Sequence, residues 1–200
     1  GEPNDAYTTD PEGTVSIIKV ADYSVKTLNF AAFESQLAAL TAKGFRIYGP
    51  GKNFLKDIEP EYIAISDDSK TAWVTLQENN AIAELDIVGG VFKKITPLGF
   101  KDYGLAGNEI DPSDKDTKVE FRLAANVFGM YQPDAIATLV GPDGTEYLVT
   151  ANEGDAREWP CLLGGTDATK AEGEEMKLSS AADSTDATIT ALGKVIGSLG

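Results

Sequence analysis

The chain repeats itself, and that limits the folds open to it. Glu59-Pro60-Glu61-Tyr62-Ile63-Ala64 matches Gln132-Pro133-Asp134-Ala135-Ile136-Ala137 at an offset of 73 residues. Val74-Thr75-Leu76-Gln77-Glu78-Asn79-Asn80-Ala81 matches Val149-Thr150-Ala151-Asn152-Glu153-Gly154-Asp155-Ala156 at an offset of 75. The two-residue difference falls in the turn between the blocks, where insertions are tolerated best. Each copy is a strand, a turn and a returning strand. Repeats of such a unit point to a radial array.

The residues around the repeat read as short strands. Thr14–Val20 is β-branched and bounded by Pro11-Glu12-Gly13. Glu61–Ser66, Thr71–Leu76, Ala81–Val88 and Val91–Leu98 follow one another, with turns at Asp67-Asp68-Ser69-Lys70 and Gly89-Gly90. Four antiparallel strands in a row make a meander, the blade unit of a β-propeller. Asp134–Val140 and Glu146–Ala151 form a further hairpin around Gly141-Pro142-Asp143-Gly144. The expected fold is all-β: a partial β-propeller of four-stranded antiparallel blades, with blade repeats near residues 59–98 and 132–160. Insertions after the blade strands stretch the period beyond one blade.

One insertion is helical. Phe30, Phe33, Leu37 and Leu40 recur at helical spacing, Asn29 is placed to cap the start and Gly44 to end it. Gly49-Pro50-Gly51 is turn chemistry. A long polar excursion runs from Gly99 to Asn126. Residues 164–186, rich in small and acidic side chains, are expected to form a mobile acidic surface loop. Ile189–Leu199 regains apolar character without deciding between strand and helix.

Antiparallel pairing sets the start of a unit's first strand beside the end of its second. Glu59, Glu61 and Glu78 therefore gather with Gln77 at one end of the first unit. Asp134, Glu153 and Asp155, with Gln132 and Asn152, take the same places in the second. If these are the innermost strands, the groups meet at one mouth of a central channel. Adjacent carboxylates repel unless a cation, an arginine or a proton intervenes. The mouth is thus a candidate cation site, with Arg157 as the nearest built-in partner; the alternative is that these residues only satisfy turn backbones.

Charge supports a cation. The chain carries 32 acidic and 17 basic side chains, net −15. Such a field repels nucleic acid and anionic headgroups, and Ca²⁺ is the hard cation that suits carboxylates best. Histidine is absent, which argues against a Ser-His-Asp or zinc-hydrolase site in these residues. Cys161, the only cysteine, is either a buried thiol or paired outside this stretch. No signal peptide, membrane span or Asn-x-Ser/Thr acceptor is visible, and the start at Gly1 reads as processing or truncation. Direct membrane insertion is not expected.

Several blocks, in order, resemble the choice-of-anchor I domain family. They are Gly1-Glu2-Pro3-Asn4-Asp5-Ala6-Tyr7, Asp10-Pro11-Glu12-Gly13-Thr14-Val15, Arg46-Ile47-Tyr48-Gly49-Pro50-Gly51 and Ala72-Trp73-Val74-Thr75-Leu76-Gln77-Glu78-Asn79-Asn80-Ala81. Leu98-Gly99-Phe100-Lys101-Asp102, Gly129-Met130-Tyr131-Gln132-Pro133-Asp134 and Thr150-Ala151-Asn152-Glu153-Gly154-Asp155-Ala156-Arg157 continue the likeness over roughly residues 1–160. The family includes secreted or surface bacterial proteins and mesenchyme-specific cell-surface glycoproteins linked to biomineralising cells. The resemblance implies a secreted, periplasmic or cell-surface propeller of about seven blades. A partial propeller leaves open strand edges, so the chain is expected to be a segment of a longer polypeptide.

Asn108–Asp116 packs four carboxylates into a short loop. Asp111, Asp114 and Asp116 are candidate Ca²⁺ ligands there, although the glycine and distal glutamate of an EF-hand are missing; the alternative is a solvated turn with aspartates capping amides. Three functions follow. The first is a Ca²⁺-stabilised extracellular binding or structural module in adhesion, matrix or surface assembly. Its partners would be other segments of the same polypeptide or surface and matrix proteins. The second is a Ca²⁺-dependent phosphoesterase, for which Lys52, Lys56, Lys101, Arg122 and Arg157 are too scattered to read as a phosphate cradle. The third is a subunit of a surface filament.

Overall fold

The computed structural model describes residues 9–47, 53–111 and 117–153, together with the strand pair Trp159–Pro160 and Lys170–Ala171. β1 (Val15–Lys19) pairs antiparallel with β2 (Ser24–Leu28), Val15 opposite Leu28 and Lys19 opposite Ser24. Sequence patterning found β1 alone. Its partner SVKTL is exposed at four of its five positions and so carries no core periodicity. The turn between them is fixed by Asp22, whose carboxylate accepts the Ser24 N–H at 3.1 Å and hydroxyl at 2.7 Å.

The helical insert starts as a 3-10 turn, Ala31–Gln36, and becomes α-helical only over α1 (Leu37–Thr41). Phe30, Phe33 and Leu40 are buried, the face the spacing predicts. Asn29 Oδ1 accepts the Ala31 N–H at 3.2 Å. Gly44 ends the insert at φ +100°, where a Cβ would lie 2.8 Å from the Gly99 Cα. A second short helix, α2 (Phe54–Asp57), is capped by Asn53, whose Oδ1 accepts from the Leu55 and Lys56 N–H groups, both at 3.2 Å.

β3 (Pro60–Ile65), β4 (Thr71–Leu76), β5 (Ala81–Asp86) and β6 (Val91–Pro97) form one antiparallel sheet in that order. Alternation sorts its side chains to two faces. Ala72, Val74, Leu76, Ala81, Ala83, Leu85 and Ile95 join the insert's Phe30, Phe33 and Leu40 in the main core. Ala64 and Ile82 point the other way. There they meet Ile136, with Trp73, Leu98 and Leu148 packed around them.

The excursion after the sheet is closed at its base. β7 (Phe100–Asp102) pairs with β8 (Phe128–Met130), and Ile110 bridges Arg122 inside it. The sequence showed only polarity here, because three-residue strands carry no periodicity. β9 (Pro133–Val140) and β10 (Glu146–Asn152) form the second hairpin, and β9 packs on β3 and β4. β11 (Trp159–Pro160) pairs with β12 (Lys170–Ala171). The last two residues fall within the stretch expected to be a mobile loop. The rest of 164–186, Gly49-Pro50-Gly51, Cys161 and Ile189–Leu199 lie outside the described residues.

The two hairpins share a defect. Pro60 is opposite Leu76, but Ile63 is opposite Val74, so β3 carries one extra residue just after its proline. Pro133 is opposite Asn152, but Ala135 is opposite Ala151, so β9 carries one too, at Asp134. A bulge in the same place twists each first strand alike. The ladders also correct the alignment: setting Pro133 over Pro60 puts Asn152 over Leu76, one residue beyond the match of Ala151 to Leu76 read from sequence.

Candidate functional site

The predicted mouth is where the ends of β4 and β10 meet the starts of β3 and β9. Gln77, buried just after β4, donates through Nε2 to Glu153 Oε1 at 3.0 Å. Glu153, just past β10, is exposed, and its N–H donates to the Gln132 carbonyl at 3.4 Å. The Thr75 hydroxyl donates to the Asp134 carbonyl at 3.0 Å and accepts the Tyr62 N–H at 2.8 Å. The two copies are therefore laced together along the rim.

Two asparagines hold the rim in shape. Asn79 and Asn80 follow β4 and are fully buried. Asn79 Nδ2 donates to the Arg46 and Asp57 carbonyls, both at 3.0 Å, and to Asp57 Oδ2 at 3.2 Å, while its Oδ1 accepts the Glu59 N–H at 3.3 Å. Asn80 Nδ2 donates to the Gly99 carbonyl at 2.7 Å and the Gly44 carbonyl at 3.2 Å. Its Oδ1 accepts from the Tyr131 N–H at 3.0 Å and the Gln132 N–H at 3.1 Å. Asn80 and Gln132 both sit at positive φ, 54° and 45°, a region asparagine tolerates better than most residues. These bonds satisfy buried and half-buried backbone groups from four stretches of chain, around residues 44–46, 57–59, 99 and 131–132.

The carboxylates divide. Glu59 is 2% exposed, Glu78 and Asp134 are half-buried, and Glu61 is exposed beside the bulge. Gln77 and Glu153, at the ends of the second strands of the two units, are brought into contact by the packing of one hairpin on the other. Asp155 and Arg157 lie outside the described residues. Among the described residues, no three Asp, Glu or Cys side chains form a group able to hold a metal. In the excursion, Asp111 Oδ2 accepts the Glu120 N–H at 3.3 Å, so this aspartate braces the loop across the Ile110–Arg122 bridge. Asp114 and Asp116 lie outside the described residues. Lys56, Lys101 and Arg122 are on separate elements: α2, β7 and the bridge.

Sequence reasoning named the residues at these strand ends but missed Asn79 and Asn80, which organise the backbone around them. The available signal was a pair of adjacent asparagines ending an apolar strand, a residue type that bonds backbone rather than extending a ladder.

No helix among the described residues is long and apolar enough to cross a membrane. A mesenchyme-specific cell surface glycoprotein of Strongylocentrotus purpuratus is 31% identical over 157 residues, covering 74% of this chain and 20% of that protein. The chain thus spans about a fifth of the length of that curated relative. No solved structure matches it. The choice-of-anchor I domain profile matches residues 1–195, and with the ordered sequence blocks and the antiparallel all-β architecture, the chain belongs to the choice-of-anchor I domain family.

Proposed function

We propose that the chain is part of a cell-surface or secreted β-propeller serving as a binding or structural module, with Ca²⁺ bound at its acidic groups. One observation carries this: β9–β10 stacks on β3–β4 in a sense that can continue. The face of the first unit bearing Ala64, Trp73 and Thr75 meets the second unit. The corresponding face of the second unit carries Leu139, Tyr147 and Val149, 57%, 50% and 53% exposed. Head-to-tail stacking leaves such an open face until a ring closes, and further units of the same polypeptide would close it. The surface location rests on the likeness to the cell surface glycoprotein of Strongylocentrotus purpuratus. The Ca²⁺ reading rests on the net charge of −15, the rim carboxylates Glu59, Glu61, Glu78, Asp134, Glu153 and Asp155, and the loop aspartates Asp111, Asp114 and Asp116.

Electron microscopy of the full-length polypeptide tests the architecture. A ring of blades around a channel is expected; an open, extended stack overturns it. Calorimetric Ca²⁺ titration tests the ion, repeated with Asp111, Asp114 and Asp116 changed to Asn. Saturable binding lost in the variant assigns the loop, and binding retained assigns the rim. No binding at millimolar Ca²⁺ removes the ion from the proposal.

A further inference from the structure

A groove of about 490 Å³ opens between the N-terminal hairpin, the helical insert and the start of β6. That size lies within the roughly 300–1,000 Å³ of small-ligand sites. Its walls come from three stretches of chain. Glu12 and Thr14 precede β1, Thr27 and Asn29 flank the end of β2, and Gly90 and Val91 open β6. Phe33 and Phe92 also line it.

The lining is sorted by polarity. Glu12, Thr14, Thr27 and Asn29 are exposed, whereas Phe33 is buried and Phe92 half-buried, so aromatic carbon lies deeper than the polar groups. These groups are held before any ligand arrives. Phe92 stacks on the fully buried Phe30 with ring centroids 4.3 Å apart. The Asn29 amide is fixed at both ends, accepting from the Ala31 N–H and donating to Glu12 Oε2 at 3.3 Å. The Thr27 hydroxyl shares a 3.1 Å hydrogen bond with that of Ser16. Groups positioned in advance lose less freedom on binding.

The chemistry of the lining selects a ligand class. Glu12 is the sole ionisable group of the lining, and the nearest ammonium, Lys26 Nζ beside Gly90, is engaged by the Gly89 carbonyl at 3.1 Å, so phosphate and sulfate esters meet a carboxylate in the groove. Ca²⁺ wants about six to eight oxygens, more than one carboxylate and two hydroxyls give. A carboxylate, a carboxamide and two hydroxyls above phenyl rings suit a ligand with vicinal hydroxyls on one side and C–H groups on the other. We propose that this groove binds a neutral saccharide, one or two sugar units of a glycan. The groove shares no residue with the rim or the stacked face, so its fate and that of the propeller reading are separable.

The test is an NMR titration of the whole chain with lactose, cellobiose and N,N'-diacetylchitobiose, with methylammonium and inorganic sulfate as charged probes. At least one disaccharide should shift the Thr14, Thr27, Asn29 and Ala32 amide signals and saturate at millimolar concentration or below. Glu12→Gln should weaken that binding at least about tenfold. Val91→Trp, at a position 46% exposed, should fill the groove and abolish binding while leaving the melting temperature unchanged. Silence from all three sugars, shifts confined elsewhere, or binding that survives both substitutions overturns the proposal. So does saturable binding of methylammonium or sulfate at these residues in place of sugar.

Discussion

Ile63 and Ile136 hold the same place in the repeated blocks, yet Ile63 is 44% exposed and Ile136 only 4%. Val74 and Val149 reverse the order, at 0% and 53%. The two cases have different causes. Both isoleucines face the same side of their unit. The first unit's sheet covers Ile136, while the N-terminal layer packs on β4, β5 and β6 and leaves Ile63 at the margin. The valines differ by register: the ladders set Val149 over Trp73, and a slip of one residue moves a side chain to the opposite face. A repeated apolar position therefore has no inside of its own; the neighbouring layer and the bulge decide it.

The strongest break in the comparison lies at the rim. Asn80→Ala removes four hydrogen bonds and leaves the carbonyls of Gly44 and Gly99 and the N–H groups of Tyr131 and Gln132, all buried or half-buried, without them. At 1–3 kcal/mol for each stranded group, discounted for relaxation, the loss should be about 4 kcal/mol in urea unfolding of the chain. Asn152→Ala, at an exposed position of the second unit whose Oδ1 accepts only the Thr150 hydroxyl among the described residues, should cost within about 0.5 kcal/mol. Equal costs would mean that the rim is not organised from the first unit.

Alanine at the aligned positions sharpens the contrast. Ile136→Ala should cost about 3 kcal/mol and Val74→Ala about 2, because each opens a cavity in a filled layer. Ile63→Ala and Val149→Ala should each stay below about 1 kcal/mol in the same unfolding assay. The crossed pattern is the diagnostic: the second copy is the costlier at isoleucine, the first at valine. A cost that follows sequence position would show that the register is wrong.

That crossing explains what could be read from the residues. Thr71–Leu76 is legible to the residue, since alternation and the Asp67–Lys70 turn mark both ends. The bulges are not, because one extra residue beside a proline leaves the local pattern of Glu61-Tyr62 or Asp134-Ala135 unchanged. β2 escapes because its stability comes from pairing with β1 rather than from burial. At the rim, the antiparallel pairing within each hairpin is legible, but the contact of Gln77 with Glu153 comes from the packing of one hairpin on the other. The bonds of Asn79 and Asn80 reach Gly44, Arg46, Gly99 and Tyr131, segments that only tertiary packing assembles. The sugar groove joins three distant stretches and left no motif at all.

The smallest effect probes where the two units agree. Asp68 in the β3–β4 turn is held below its usual 3.8 by the Ser66 hydroxyl, then by the Lys70 N–H and ammonium. Asp143 in the β9–β10 turn is lowered by the Thr145 N–H and hydroxyl. A carboxyl depressed in the folded state favours its ionised form there. Its contribution is full above pH 3.8 and is lost as pH falls through the lower folded value. Both groups are exposed, so solvent screens the gain and the effect is small. Asparagine keeps an oxygen for the backbone N–H but cannot titrate. Asp68→Asn and Asp143→Asn should each lower the melting temperature slightly at neutral pH and flatten its fall on acidification. Thermal melts across that pH range should show the same flattening for both. A response from Asp68 alone would assign the effect to the Lys70 ion pair, which has no counterpart at Asp143 among the described residues, and would carry the asymmetry of the two units into their turns.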